Sequence, residues 1–455
     1  MQFLNSLVSA LAAEITASEK RIRKRKRSKP QQNAFERAVL KLTSDMWKAS
    51  YMGSNAPCLI SLNSNSYSGS SRYVDQSLNY RPTRAAFDGL KRLGYIDIVQ
   101  NGFLNRQTGV GQLTRYRPTK TLRKKLDAID GHPAKLASLA PQEETILLRG
   151  PESDGRKDLI EYTDTPQTDE WRANLETINS VLSRHWADLE IKDSDFSRLQ
   201  TRLVGTADRE PINFFARTLV RIFTNGSFEE GGRFYRGWWQ NVPSEYRPFI
   251  TIDAKRTVEY DYSAMNPHMA YAMKKADPGP SDLYERVIDR PITSEKRDVI
   301  KQAFNAMLQM KTELPVAPKG IDPSLLGMTW KELRNAIVKA HKPIADLFFT
   351  GIGNKLQFED SCIAESIMLH FAAMDAPVLP IHDSFIMHHG YGSELEEQMR
   401  KSFHARFGTE IRTKSIIAER EAPNDPDYDN SLENVLNYAP YVNWSERQDS
   451  WFANR

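Results

Sequence analysis

Net positive charge in this chain is confined to its front. Residues 1–130 hold 23 Lys and Arg against 9 Asp and Glu, whereas the remainder holds 39 against 49. The front therefore carries a net +14 and the rest a net −10. A basic front beside an acidic body points to a front that meets a polyanion. At roughly 150 residues per domain, the 455 residues suggest two to four domains. Cys58 and Cys362 are the only cysteines, which argues against a disulfide scaffold or a cysteine-rich zinc site and favours a reducing, cytoplasmic compartment. No run of about 18 apolar residues suggests a membrane span. Met1–Ile15 lacks a basic leader and a cleavage site, so it reads as an amphipathic helix rather than a signal peptide.

The front divides into a basic extension over 1–30 and a folded segment over 31–130. Residues 21–29 form a run of Arg and Lys suited to phosphate contact. Phe35–Tyr51 has helical spacing. Arg81-Pro82-Thr83-Arg84 opens a second helix that stops at Gly94. Tyr95–Val99 and Leu113–Arg117 then read as two strands joined by a Gly- and Asn-rich wing. Helix, helix and hairpin with basic residues is the pattern of a winged helix-turn-helix. Its recognition face would carry Arg81, Arg84, Lys91 and Arg92, and its wing Arg106, Arg115 and Arg117. The alternative, a winged helix used only to dock proteins, stays open. Residues 131–167 mix Pro, Gly, Asp and Glu without periodicity and read as a linker. Asp169–Leu203 is again helical in spacing. The tail over 421–455 is rich in Pro, Asn and Asp and ends in scattered aromatics expected to pack on the body.

Three segments of the body, 168–420, carry chemistry. In Val258-Glu259-Tyr260-Asp261, apolar and polar residues alternate as in a strand, with Asp261 at its end and an Ala- and Met-rich helix after it. Val378–Ile381 and Phe385–Met387 read as a hairpin with Asp383 at its tip. If these strands are sheet neighbours, the two carboxylates converge. Such a pair can hold two Mg²⁺ ions about 3.5–4 Å apart and drive in-line phosphoryl transfer. Thr293–Met310 is a capped helix on which Arg297, Lys301 and Asn305, four residues apart, share one face suited to a triphosphate.

In order and spacing, these segments resemble the superfamily of the family A DNA polymerases and the single-subunit RNA polymerases. Asp261-Tyr262-Ser263 is similar to its motif A, Arg297 with Lys301 to motif B, and His382-Asp383 to motif C. Gly232-Arg233 followed by Trp239-Gln240-Asn241-Val242-Pro243 is similar to a stretch shortly upstream. The resemblance covers about 214–389. It implies an α+β right-hand fold with an antiparallel palm sheet and helical fingers and thumb, the thumb near 169–205. It also implies that Asp261 and Asp383, with the Tyr262 carbonyl, bind two Mg²⁺ (or Mn²⁺) ions. Lys301 would contact the phosphates and protonate pyrophosphate, and Arg297 would hold the γ-phosphate. Arg233 and His382 would lie at the primer end, with Gln240 in the same substrate-binding group.

Three departures stand out. Gln309-Met310 replaces the family's Tyr-Gly, Ser384 follows His-Asp where family A has Glu, and Asn266 replaces the Glu that crowds a ribose 2′-hydroxyl. The implied partners are DNA template and primer, dNTPs and, as an open alternative, rNTPs, together with replication proteins. A compact DNA polymerase, as in a phage or other mobile element, is the favoured reading, and whether it starts its own chains as a primase is left open. A non-catalytic replication initiator on a polymerase-like scaffold and a single-subunit RNA polymerase are the alternatives.

Overall fold

A computed structural model describes residues 2–19, 25–52, 57–67, 72–73, 79–104, 111–134, 144–153, 155–205, 211–288, 291–416 and 442–454. Helices and strands are mixed, and the chain forms two units.

The first unit comprises Met1–Glu144, Trp186–Arg217 and Asn424–Arg455. Helix α1 (Gln2–Glu19) buries Leu4, Val8, Leu11, Ala12 and Ile15 against α2 (Lys29–Tyr51) and α3 (Tyr80–Arg92). The apolar stripe of a helix this short is stable only against partners, and Phe35, Trp47, Phe87 and Leu90 provide them. Helix α3 ends at Gly94, whose φ of +71° lets its N–H reach Lys91 while the Tyr95 N–H reaches Leu90, a Schellman cap. Strands β1 (Cys58–Ile60), β2 (Ile96–Gln100) and β5 (Thr114–Pro118) form an antiparallel sheet in the order β1–β5–β2. A short β3 (Phe103–Leu104) and β4 (Gly111–Gln112) extend the β2–β5 hairpin, and α4 (Lys120–Asp127) follows. Asp188 is wholly buried and accepts hydrogen bonds from the Trp186 indole (2.8 Å) and from two nitrogens of Arg447 (2.7 and 2.9 Å). Trp186 also stacks on Trp451 at 5.4 Å.

The second unit comprises Thr145–His185 and Thr218–Pro423. Its smaller sheet runs β6 (Ile146–Leu148), β8 (Val220–Thr224), β9 (Ser227–Tyr235), with β6 parallel to β8. Helices α5 (Pro166–Arg184) and α10 (Gly353–Ala372) pack together here. Its larger sheet places β12 (Leu379–Ile381), β13 (Ser384–His388), β11 (Lys255–Tyr262) and β10 (Ile250–Ile252) side by side, and β14 (Thr413–Ile416) also pairs with β11. Helices α7 (Met265–Met273), α8 (Ser294–Gln309), α9 (Trp330–Ala340) and α11 (Gly392–Phe407) complete the unit.

Three expectations change. The stretch 131–167 is not wholly irregular, because Ile146, Leu147 and Leu148 are all buried and form β6. The helical stretch 169–203 is interrupted: α5 ends at Arg184, β7 (Ala187–Leu189) intervenes, and α6 (Asp193–Gly205) belongs to the first unit. The end of the chain forms α12 (Val442–Ala453), which joins the first unit through Arg447 and Trp451 rather than the body. Residues 417–441 lie outside the described residues. Among those described, no helix is long and apolar enough to cross a membrane.

Candidate active site

The two aspartates meet at one end of two adjacent antiparallel strands. In the β11–β13 ladder, Asp261 lies opposite Ser384, the residue that follows Asp383. Ile381 and Ser384 close the β12–β13 hairpin, so His382 and Asp383 are its entire two-residue turn. Such turns need positive φ, and His382 adopts +60°. Ala264, three residues past Asp261 at the start of α7, has a φ of +52°. A non-glycine residue in this region costs about 1–3 kcal/mol, and both such residues flank the carboxylates. Burial first, and then the charge of Asp383, push the Asp261 carboxyl up to about 7; Lys301 pulls the other way.

Around the pair, the structure accounts for several residues singled out above. The Tyr262 phenol is buried and donates to the Met399 carbonyl at 2.5 Å, so its side chain is not available to a ligand. Ser384 donates to Glu259 at 2.5 Å, and Glu259 also pairs with Arg247 at 3.0 Å. The serine that departs from family A thus ties the turn to a second, buried acid on β11. Gln240 spends its amide nitrogen on the carbonyls of Phe234 (2.9 Å) and Pro380 (3.1 Å), bracing the hairpin from below.

Arg233 is held by Asp360 on α10, with Nε and a terminal nitrogen both 2.7 Å from one carboxylate oxygen. Burial lifts Asp360 to about 6, Arg233 opposes this, and Asp383 adds to it. Next to this pair, Arg221 is wholly buried. It donates to the Gly232 carbonyl (2.8 Å), Glu365 (2.8 Å) and Ser361 (2.9 Å). Breaking a buried pair of this kind typically costs about 3–5 kcal/mol, so this network locks β8 and β9 to α10 and with them Arg233.

On α8 the three residues four apart do face one way, but only Lys301 is exposed without an ion pair among the described residues. Arg297 lies 2.7 Å from Asp282 and over the ring of Tyr284 at 5.0 Å. Asn305 accepts a hydrogen bond from the Asn266 amide at 3.0 Å. Tyr284, Asp282, Glu259 and Asp360 are the residues that sequence reasoning missed. Asp360 left a trace: with Ser361 and Glu365 it interrupts the apolar stripe Leu356, Ile363, Ile367 of α10.

In the first unit, Arg81, Lys91 and Arg92 are exposed on α3. Arg92 reaches Ser18 of α1 (3.0 Å), and Arg84 pairs with Asp88 (2.8 Å). Arg115 and Arg117 are half-buried and alternate along β5 with the buried Thr114, Tyr116 and Pro118. Arg106 and residues 21–24 of the basic run lie outside the described residues. Of that run, Arg27 is paired with Glu19 at 2.6 Å and sits over Phe35.

No protein-family model matches the chain, and no curated protein matches it. Among solved structures the chain is similar to the POL domain of Pol1 from M. smegmatis in complex with DNA primer-template and dNTP, at 12% identity and a TM-score of 0.33. The likeness covers 63% of this chain and spans only 60% of that one. So slight a likeness decides nothing, and the function of the chain rests on the chemistry of the site itself.

Proposed function

We propose that the second unit is the body of a template-directed nucleotidyltransferase, a compact polymerase built as a right hand, and that the first unit carries a winged helix-turn-helix that grips duplex DNA. The convergence of Asp261 and Asp383 at one end of β11 and β13, with Lys301 close enough to lower Asp261, carries this reading. Among the described residues, no cluster of three His, Cys, Asp or Glu forms a closed metal cage. Two hard oxygen donors that repel one another nevertheless fit a divalent ion that takes its remaining ligands from substrate phosphates. Asp261, Asp383 and the Tyr262 carbonyl would hold Mg²⁺, or Mn²⁺, which stabilises the attacking and leaving oxygens of an in-line phosphoryl transfer.

The chain's own residues do the rest. Lys301 binds the incoming phosphates and protonates the departing pyrophosphate. Arg297 exchanges Asp282 for the γ-phosphate. Asp360 fixes Arg233 at the primer terminus, beside His382. Asn266, its amide nitrogen already given to Asn305, turns its remaining acceptor to the sugar. Gln240 acts by bracing the turn. The partners are DNA template and primer and dNTPs, with rNTPs accepted for self-priming.

Primer extension with Mg²⁺, run with dNTPs and with rNTPs and with and without a primer, tests this. Asp261→Asn and Asp383→Asn should each abolish incorporation and leave DNA binding intact. Wild-type rates in either variant would sink the site assignment. No incorporation by the wild type under any condition would favour a DNA-binding initiator. For the first unit, Arg81→Ala and Arg117→Ala should each reduce the salt slope of duplex binding by about one.

A further inference from the structure

Beside α3 the first unit holds an open groove of about 710 Å³, with Arg84 and Lys91 on one wall and Phe103, Gln112 and Leu113 of the wing on the other. Two described apolar residues of the wing stay in the open. Phe103 is 56% exposed and Leu113 45%. The backbone explains why. A β-bulge between Ile98 and Gln100 breaks the register against Arg115, and such bulges bend a strand and re-aim its side chains. At Gly102 the strands cross so closely that a Cβ would stand 2.7 Å from the Gln112 carbonyl oxygen and 2.8 Å from the Thr114 nitrogen. The β3–β4 ribbon therefore leaves the sheet, and Phe103 lies directly opposite Gln112 across it.

Directly opposed residues share one face of a ribbon, so the exposed ring and the Gln112 amide stand together. The Gln112 Nε2 is buried and has no hydrogen-bond partner. A buried donor without a partner is destabilising unless a ligand accepts from it. Arg84 is occupied by Asp88, which leaves Lys91 as the exposed cation of the groove. A flat apolar surface, an unsatisfied amide donor and a cation match a ligand with a flat face, acceptors on its edge and an anionic link. That ligand is an unpaired nucleotide. Duplex DNA hides the base faces, and an acidic peptide has none to offer.

We propose that this groove binds single-stranded nucleic acid, with Phe103 stacked on an unpaired base, Gln112 on the base edge and Lys91 on a phosphate. The proposal rests on the reading of the first unit as a nucleic-acid binder, and goes beyond it by adding a strand site next to the duplex grip.

A short single strand carrying photoreactive iododeoxyuridine, irradiated with the full-length protein, tests it through peptide mapping of the adducts. The expected adduct is on Phe103, is absent with the matched duplex, is lost in Phe103→Ala and returns in Phe103→Trp. Adducts confined to residues 218–416, equal yield on duplex, or an undiminished wing adduct in Phe103→Ala would overturn it. Displacement of the strand from the wing by poly-glutamate as readily as by unlabelled strand would also overturn it, and would assign the groove to an acidic protein. Duplex affinity of Arg81→Ala, measured alongside, separates the two readings. If duplex binding depends on Arg81 while the strand ignores Phe103, only the groove proposal falls. If neither depends on this unit, the nucleic-acid reading falls with it.

Discussion

Replacing Asp261 with Asn should make the metal-free protein more stable while removing its activity. In the folded chain the Asp261 carboxyl is lifted from its ordinary 3.8 to about 7 by burial and by Asp383. Each tenfold change in proton affinity is worth about 1.4 kcal/mol, so holding the charged form in place costs about 4 kcal/mol at most, and about half that once water and side chains relax. The sign follows from proton linkage. A carboxyl raised on folding binds its proton more tightly in the native state, so stability falls as pH rises. The penalty is absent below about pH 4, grows between 4 and 7, and is complete above 7. The Asn amide is isosteric and cannot ionise. At about 2–4 °C per kcal/mol for a unit of this size, Asp261→Asn should melt several degrees above the wild type at pH 8 in EDTA. At pH 5 about 40% of the full advantage should remain for a carboxyl that titrates at about 7. Mg²⁺ at pH 8 should raise the wild-type melting temperature and leave the variant unmoved. Scanning calorimetry at the two pH values measures all of this. A variant no more stable than wild type at pH 8, or an advantage independent of pH, would refute the argument that the two carboxylates repel each other across β11 and the turn.

Other perturbations act through the same contacts. Lys301→Ala should slow nucleotide addition far more than it weakens DNA binding, because the proposed partner of this exposed lysine is the nucleotide; single-turnover kinetics alongside equilibrium DNA titration would show it. Asp282→Asn should lower the apparent nucleotide KM by up to about fivefold, since a partly exposed pair worth no more than about 1 kcal/mol no longer competes for Arg297; an unchanged KM would mean that Arg297 does not hold the γ-phosphate. Asn266→Glu should sharpen selection for dNTPs by about two- to tenfold, the worth of one hydrogen bond gained or lost, read as the ratio of kcat/KM for the two sugars. Arg447→Ala should destabilise the first unit by about 3–5 kcal/mol by leaving the Asp188 carboxylate buried and unpaired, with primer extension as the control that the body is intact.

Where local pattern determines structure, the sequence was readable. The alternation through Val258–Asp261, the Thr293 cap whose side chain accepts from the Lys296 N–H, and the stop at Gly94 each express a rule that acts within a few residues, and the corresponding elements form. The neighbourhood of Asp261 and Asp383 was readable too, because two strand ends sit in segments that pair. Long-range partners were not. Nothing local to Arg221 announces Glu365, 144 residues away, or ties Arg233 to Asp360. Ile146–Leu148 is too short for any period to show, and its strand exists because β8 pairs with it. The helical spacing across 169–203 concealed a change of unit at Trp186, whose partners, Asp188 and Trp451, are set by tertiary packing.

The contribution of Arg447 and Trp451 to the first unit has a consequence in time. A nascent chain emerges from its amino end, and domains commonly fold in that order. Here the last described strand of the second unit ends at Ile416, while the cation that neutralises Asp188 lies further along the chain and emerges after it. Until then the first unit carries an uncompensated buried charge and an unfilled aromatic stack. The second unit should therefore mature before the first, and a released chain truncated before Val442 should already protect residues 218–416 from protease while leaving 1–144 open to attack.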